Sequence, residues 1–479
     1  MSVLGQFEPK QAMMYFEELC KIPHGSRNTK QISDYCVNFA NERGLSVIQD
    51  DLNNIIITKE ATPGYEEVGT VILQGHLDMV CEKVEGSDFD FETDGLILET
   101  DGVWVWARDT SLGGDDGIAV AMALAILDSK DIPHPRLEAV FTVDEEIGLL
   151  GAKDMDLSSL QGKKLINIDC EDDTQVLTSC AGGTFIEGNI PVSFEEVSGI
   201  GYTIAVKGLL GGHSGAEIHK GRGNANLLMG RVLYAVRSLI EVSDVHGGNA
   251  DNVIPSFTAA SILVDEKNEA QMLKQLAEVE VEIKNEYVLS DPDVYVAVTK
   301  GAVETSRVLV PSSKVILLNA LMNLPNGIYA MSAAIPGLVE TSTNMGIFAM
   351  KNDSLVMNYN VRSSVETAKR HLADRTIAMI EMMGGSISEA GDYPGWQYRI
   401  DSPLREMVVK VYTKTLGKEP IVGAVHAGLE CGIFASKIED LDCVSIGPNL
   451  NDIHSTNEKM EIASAERIWK LLLGILAEK

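Results

Sequence analysis

Short apolar runs that end in a histidine or a carboxylate constrain this chain most. VILQGHLD (71–78), LEAVFTVDEE (137–146) and KKLINIDCED (163–172) each set a largely β-branched, apolar stretch ahead of polar side chains. Those side chains are His76 and Asp78, then Asp144, Glu145 and Glu146, then Asp169. Runs of this length and composition predict buried strands, and they fall well short of the roughly 18 residues a membrane helix needs. SVIQDDLNNIIIT (46–58) predicts further strand, and DGIAVAMALAILDS (116–129) predicts a helix between the 71–78 and 137–146 runs. Apolar strands alternating with helices predict an α/β domain around a covered, mostly parallel sheet.

The pattern changes near residue 185. IGYTIAVKG leads into a helical stretch at 224–240 and a charged amphipathic one at 265–287. MGIFAM and SLVMNYNVRSS then predict strands, and 366–385 a helix. EAGDYPGWQYRIDSPL (389–404) is expected to be a linker that returns the chain to its first texture, with a strand at 441–447 and a terminal helix. The predicted organisation is a catalytic domain in two parts, 1–185 and 396–479, with an α+β lid domain inserted at 186–395. At 479 residues the chain has room for this.

A formal charge of −31 argues against nucleic acid and anionic lipid as partners. Seven cysteines, odd in number and without a CxxC pair, argue against a disulfide framework and a thiolate zinc site. MSVLGQFEPKQAMMYFEEL lacks the basic start and apolar core of a signal peptide, so a cytoplasmic location is expected.

Ligands in open α/β sheets gather where strands end, so His76, Asp78, Asp115 of SLGGDDG, Glu145, Glu146, Asp169 and His454 of IGPNLNDIHST can converge. Imidazoles and carboxylates without thiolates suit zinc, manganese or cobalt, and the carboxylates suffice for two ions. Two such ions would polarise a carbonyl, which makes hydrolysis the expected chemistry. Asp78, two residues after His76, could accept the second N–H of the imidazole. Asp172 and Asp173 are expected in a solvated loop, and His24, His134 and His371 facing solvent.

These motifs, in this order, resemble the M20 family of dinuclear zinc peptidases. GGHSGAEIH (211–219), GRGNANLL, GGNADNVIP (247–255) and HAGLECG (426–432) are similar to the aminoacyl-histidine dipeptidases of that family. The resemblance implies that Asp115 bridges two metals, that His76 and Asp169 complete one site, and that Glu146 and His454 complete the other. Glu145 would then be the general base acting on a metal-bridging water. Asp169, where other members carry Glu, favours amino- and dipeptidase substrates.

On the lid, the resemblance gives His213 a carbonyl oxyanion, and gives Asn252, Arg362, Gly428 and Glu430 the substrate. The fork of Arg362 suits a carboxylate. Asp116 stands where relatives often carry Asn. The implied function is a metal-dependent dipeptidase for unblocked L-dipeptides, including β-alanyl-histidine, with two divalent ions, most often zinc. A homodimer through the lid is the family habit. An N-acyl amino acid deacylase, a tripeptide aminopeptidase and a non-catalytic peptide-binding relative stay open as alternatives.

Overall fold

The computed structural model describes residues 2–479. The chain divides into two compact units. One comprises 1–180, 396–424 and 429–479; the other comprises 181–395 with the short segment 425–428.

Among the described residues the first unit holds an eight-stranded sheet. Its order is Ser46–Gln49, Ile55–Lys59, Leu137–Thr142, Val71–His76, Lys164–Asn167, Asp442–Ser445, Gln175–Cys180 and Ile421–Val425. The four middle strands, from Leu137–Thr142 to Asp442–Ser445, run parallel. Ser46–Gln49 with Ile55–Lys59, Ile55–Lys59 with Leu137–Thr142, and Asp442–Ser445 with Gln175–Cys180 pair antiparallel. Every residue of Val71–His76 and Leu137–Thr142 is buried, which is why those runs are mostly apolar.

The helix Gly114–Asp128 packs on the Val71–His76 strand and is buried almost throughout. Its first turn comes so close to the sheet that a Cβ on Gly75 would stand 2.6 Å from Asp116 Oδ2 and 2.8 Å from Ala119 Cβ. Helices Lys10–Leu19, Pro403–Leu416 and Ile462–Leu476 contribute to the same core. All seven cysteines are free thiols, and only Cys81 is exposed.

The second unit is built on an antiparallel sheet, Tyr295–Leu309, Phe194–Lys207, Thr258–Val264, Ile240–Gly247, Val339–Lys351, Ser354–Ser363, Gly182–Pro191 and Ser386–Tyr393. Gly327–Met331 adds to the Val339–Lys351 strand. Helices Ala225–Val236, Glu266–Glu286, Pro311–Asn323 and Glu366–Met382 supply the rest of its core.

Part of the expected 389–404 linker is a strand. Ser386–Tyr393 pairs with Gly182–Pro191, and its mostly exposed polar side chains gave no hydrophobic period to read. Likewise Tyr295–Leu309 is an edge strand whose middle faces solvent. No helix among the described residues is long and apolar enough to cross a membrane.

Candidate metal centre and substrate site

Asp115 presents one carboxylate oxygen to each of two histidines. Its Oδ1 lies 3.2 Å from His76 Nε2 and its Oδ2 lies 3.3 Å from His454 Nε2. On the His76 side Asp169 Oδ1 is 3.8 Å from the same imidazole nitrogen. On the other, Glu146 Oε2 lies 3.0 Å from His454 Nε2. Three groups, His76–Asp116–Asp169, His76–Glu145–Glu146 and Asp115–Glu146–His454, each bring their ligand atoms within 4.8 Å of one another, close enough to hold a metal ion.

Local structure accounts for each position. His76 ends its strand, Asp169 lies two residues past Lys164–Asn167, and Glu145 and Glu146 follow Leu137–Thr142 in a loop. That loop turns at Asp144, whose φ of 54° is left-handed and whose Oδ1 accepts the Arg27 N–H at 2.5 Å. It closes through Leu149 N to Glu145 O and Gly151 N to Val143 O. Asn54, fully buried, accepts from Val143 N and donates to Gly151 O, so it clamps both ends.

Asp115 is held by Glu458. That carboxylate accepts backbone N–H groups from Leu112, Gly113 and Gly114 at 2.7, 3.0 and 2.8 Å, with Asp115 N at 3.4 Å. Glu458 follows His454 by four residues, so one segment supplies both His454 and the clamp on Asp115. His454 itself sits in a left-handed turn, φ 58°.

The donor set fits divalent cations. It holds hard carboxylate oxygens and imidazole nitrogens with no thiolate. It is also overcharged with buried acid: burial, with the charges of Glu146, Glu430 and Asp115 added, pushes the Glu145 carboxyl well up. Burial, Asp116 and Asp115 do the same to Asp169, and burial raises Asp116. Hydrogen bonds to Asp115 and Glu146 push His454 up to about 11. Burial works against protonation of His76, yet Asp115 and Asp78 raise its pKa well above the ordinary value. Carboxylates that resist ionisation beside imidazoles that hold protons are a site where cations can replace protons.

Asp78 differs in detail from expectation. His76 Nδ1 meets the backbone carbonyl of Asp78 at 2.9 Å, and the carboxylate is 3.6 Å away. The carboxylate instead accepts from Ser26 Oγ and from the N–H groups of Glu145 and Glu146 at 2.8, 3.1 and 3.4 Å. Asp78 thus fixes both the tautomer of His76, through its main chain, and the loop of the acid pair.

In the second unit His213 ends a two-residue strand paired with Val253–Ile254. Its Nδ1 faces the N–H groups of Gly215 and Ala216 at 3.2 and 3.0 Å, which makes Nδ1 the acceptor and leaves the ring proton on Nε2. Burial and Arg362 lower its pKa, so the ring is neutral near pH 7. Arg362 is 5% exposed, donates from Nη1 to Tyr393 Oη at 3.0 Å, and has no protein partner for Nε.

Among the described residues no carboxylate pairs with this guanidinium. Gly215 fits between the groups: a Cβ there would stand 2.4 Å from His426 O, 3.0 Å from His213 Cε1 and 3.2 Å from Arg362 Nε. Gly428 lies against the Tyr393 ring. Asn252 is exposed beside His213, and its carbonyl accepts the Ser214 N–H at 2.8 Å.

The family model for peptidase family M20/M25/M40 matches residues 72–478. The chain belongs to this family. It is 36% identical to the cytosol non-specific dipeptidase of Escherichia coli K12, with 100% of this chain and 99% of that protein aligned. The crystal structure of aminoacylhistidine dipeptidase from Vibrio alginolyticus superposes with a TM-score of 0.92 at 32% identity, covering 99% of this chain and 97% of that one. Aminopeptidase PepT from Bacillus cereus, at 15% identity and TM-score 0.57 over 98% of this chain and 99% of that one, shares the fold.

In this M20 chain several expectations need correction. Glu430, expected at the substrate, is fully buried in the first unit, its Oε2 accepting from Thr142 Oγ1 at 2.6 Å and from Gln74 Nε2. Asp173 is buried rather than solvated, paired with Arg467 at 2.5 Å and accepting from Ser464. Asp172 is half-buried and closes a turn onto Thr174. His24 and His134 are buried, each bonded through Nδ1 to a nearby carbonyl; His371 is exposed.

Reading the sequence also passed over Asn54, Glu458, Tyr393 and His426. His426 is 6% exposed, bonded through Nε2 to Ser342 Oγ at 2.7 Å, and its pKa is pushed down to about 3 by burial, Arg362 and His213. Its place in HAGLECG, two residues before Gly428, was the available signal.

Proposed function

We propose that this chain is a cytoplasmic, dinuclear metal-dependent dipeptidase that hydrolyses unblocked L-dipeptides, Xaa-His among them. The observation that carries the reading is the placement of Asp115 between His76 and His454. His76 and Asp169 form one half of the ligand set, Glu146 and His454 the other, with Asp115 shared. Divalent cations, zinc being the first choice for this donor set, supply positive charge that polarises a peptide carbonyl and acidifies water. Full-length similarity to proteins named as dipeptidases supports the substrate class, and the cytosolic name of one relative supports the location.

The residues of the chain do the rest. Glu145 takes a proton from the attacking water and returns it to the departing amine, a role supported by its place within 4.8 Å of the His76 and Glu146 ligand atoms. Asp78 holds the Glu145 loop and the His76 tautomer. His213, neutral with its proton on Nε2, donates to the carbonyl oxygen as negative charge develops there. Arg362, a buried cation that no carboxylate of the described residues pairs with, takes the free carboxylate of the dipeptide, and Asn252 and Gly428 contact the substrate too. A homodimer through the second unit completes the reading.

The test is a panel of unblocked L-dipeptides, tripeptides and N-acylated amino acids on metal-reconstituted protein, scored by release of free amino acids. Dipeptides, β-alanyl-histidine included, should be cleaved and the other two classes spared. Preference for acylated amino acids would establish the deacylase alternative. Preference for tripeptides would establish the tripeptidase.

A further inference from the structure

A second tier of polar side chains lies beneath the ligands of the first unit. Gln74 precedes His76 by two residues on the Val71–His76 strand, so both point to one face of the sheet. Register sets Gln74 beside Asn167, which precedes Asp169 by two residues, and sets His76 beside Thr142, shortly before Glu145 and Glu146. These three strand residues are joined through one carboxyl. Asn167 Nδ2 donates to Gln74 Oε1 at 2.7 Å, Gln74 Nε2 donates to Glu430 Oε2, and Thr142 Oγ1 donates to the same oxygen at 2.6 Å. Glu430 begins the helix Glu430–Lys437 and is fully buried; Gln74 is 1% exposed, Thr142 and Asn167 not at all.

Stability alone does not explain this arrangement. Glu430 Oε1 and Asn167 Oδ1 are buried without a protein partner, and burial pushes the Glu430 carboxyl up to about 7. Apolar side chains of similar size would avoid that desolvation cost. What the network does provide is a fixed relation between three strand ends, each of which delivers groups to the metal centre. Partners behind metal ligands set ligand orientation, and their loss commonly weakens metal binding about 10- to 100-fold.

We propose that Glu430 is a positioning residue that sets the spacing of the His76, Asp169 and Glu145–Glu146 strand ends, and through them the geometry of the two cations. The proposal rests on the reading of His76, Asp115, Glu146, Asp169 and His454 as ligands. Glu430 touches neither substrate nor metal in this account; it acts through Gln74 and Thr142.

The experiment compares full-length wild type with Glu430→Leu, Glu430→Gln and Thr142→Val, each loaded with Co(II). It reads the visible d–d spectrum, cobalt affinity by chelator competition, and kcat and KM for β-alanyl-histidine. Glu430→Leu should lower cobalt affinity about 10- to 100-fold, change the spectrum, and lower kcat with KM nearly unchanged. Glu430→Gln, which keeps an acceptor for Thr142 and Gln74, should restore most of both. Thr142→Val removes one donor and should change the spectrum in the same direction by less, which keeps the test decisive if Glu430→Leu does not fold. Wild type that binds fewer than two equivalents overturns the ligand reading itself. Wild type that binds two, with Glu430 and Thr142 variants matching its affinity and spectrum, overturns the role of Glu430 alone.

Discussion

Glu145 and Glu146 adjoin in sequence yet meet different surroundings. Glu146 is engaged by His454, whereas the Glu145 carboxyl is raised by burial and the acids around it, against the pull of His76. Glu145→Gln keeps the shape and the backbone bonds to Asp78 while removing the proton acceptor. It should retain two metal equivalents by elemental analysis and lose turnover by about 100-fold or more; substantial residual activity would remove Glu145 from the base role. His426 offers a second residue-level outcome. Its folded pKa of about 3 lies below the ordinary 6.5, so the fold favours the neutral ring. The stability this contributes is complete above pH 6.5 and declines as the pH falls from there toward 3, by about 1.4 kcal/mol per pH unit within that window. Denaturation midpoints of His426→Asn should therefore fall less steeply than wild type between pH 6.5 and 4, and equal slopes would contradict it. Residues of this kind were the hardest to read from sequence. Asp173 looked like loop acid because its partner Arg467 lies far along the chain, and His24 and His134 looked exposed because their polar neighbours hid bonds to carbonyls only a residue or two away.

At the level of elements, what was legible followed burial. Val71–His76 and Leu137–Thr142 are buried on both faces and announce themselves as apolar runs. Ser386–Tyr393 and Tyr295–Leu309, exposed along most of their lengths, carry no such signal and left a strand read as linker. The strand ends that carry the candidate ligands were legible for the same reason as their strands, since acid after an apolar run stands out. Glu458 was not, because a carboxylate that caps backbone N–H groups in another segment leaves no local pattern. Close approach of elements carries its own prediction. A Cβ on Gly447 would stand 1.8 Å from the Cys170 carbonyl oxygen, a main-chain atom next to Asp169 that can yield only by moving the strand end. Gly447→Ala should cost about 1–3 kcal/mol of stability in denaturant titration and weaken metal binding by displacing Asp169. Unchanged metal affinity at reduced stability would separate the packing of this loop from the site.

Across the whole molecule, the first unit gathers groups from segments as distant as residues 76 and 454 around Asp115. In the second unit a short segment, 425–428, is drawn from late in the chain; it puts His426 with Ser342 and Gly428 against Tyr393. Membership of the M20/M25/M40 peptidase family accounts for the common plan. A dinuclear centre here would require Asp115 to serve two cations at once, one with His76 and Asp169 and one with Glu146 and His454. The direct measurement is metal stoichiometry, by elemental analysis of purified protein equilibrated with zinc, for wild type and Asp115→Ala. Two equivalents are expected for wild type and a clear loss in the variant. A single equivalent in wild type, or two retained in Asp115→Ala, would contradict that arrangement.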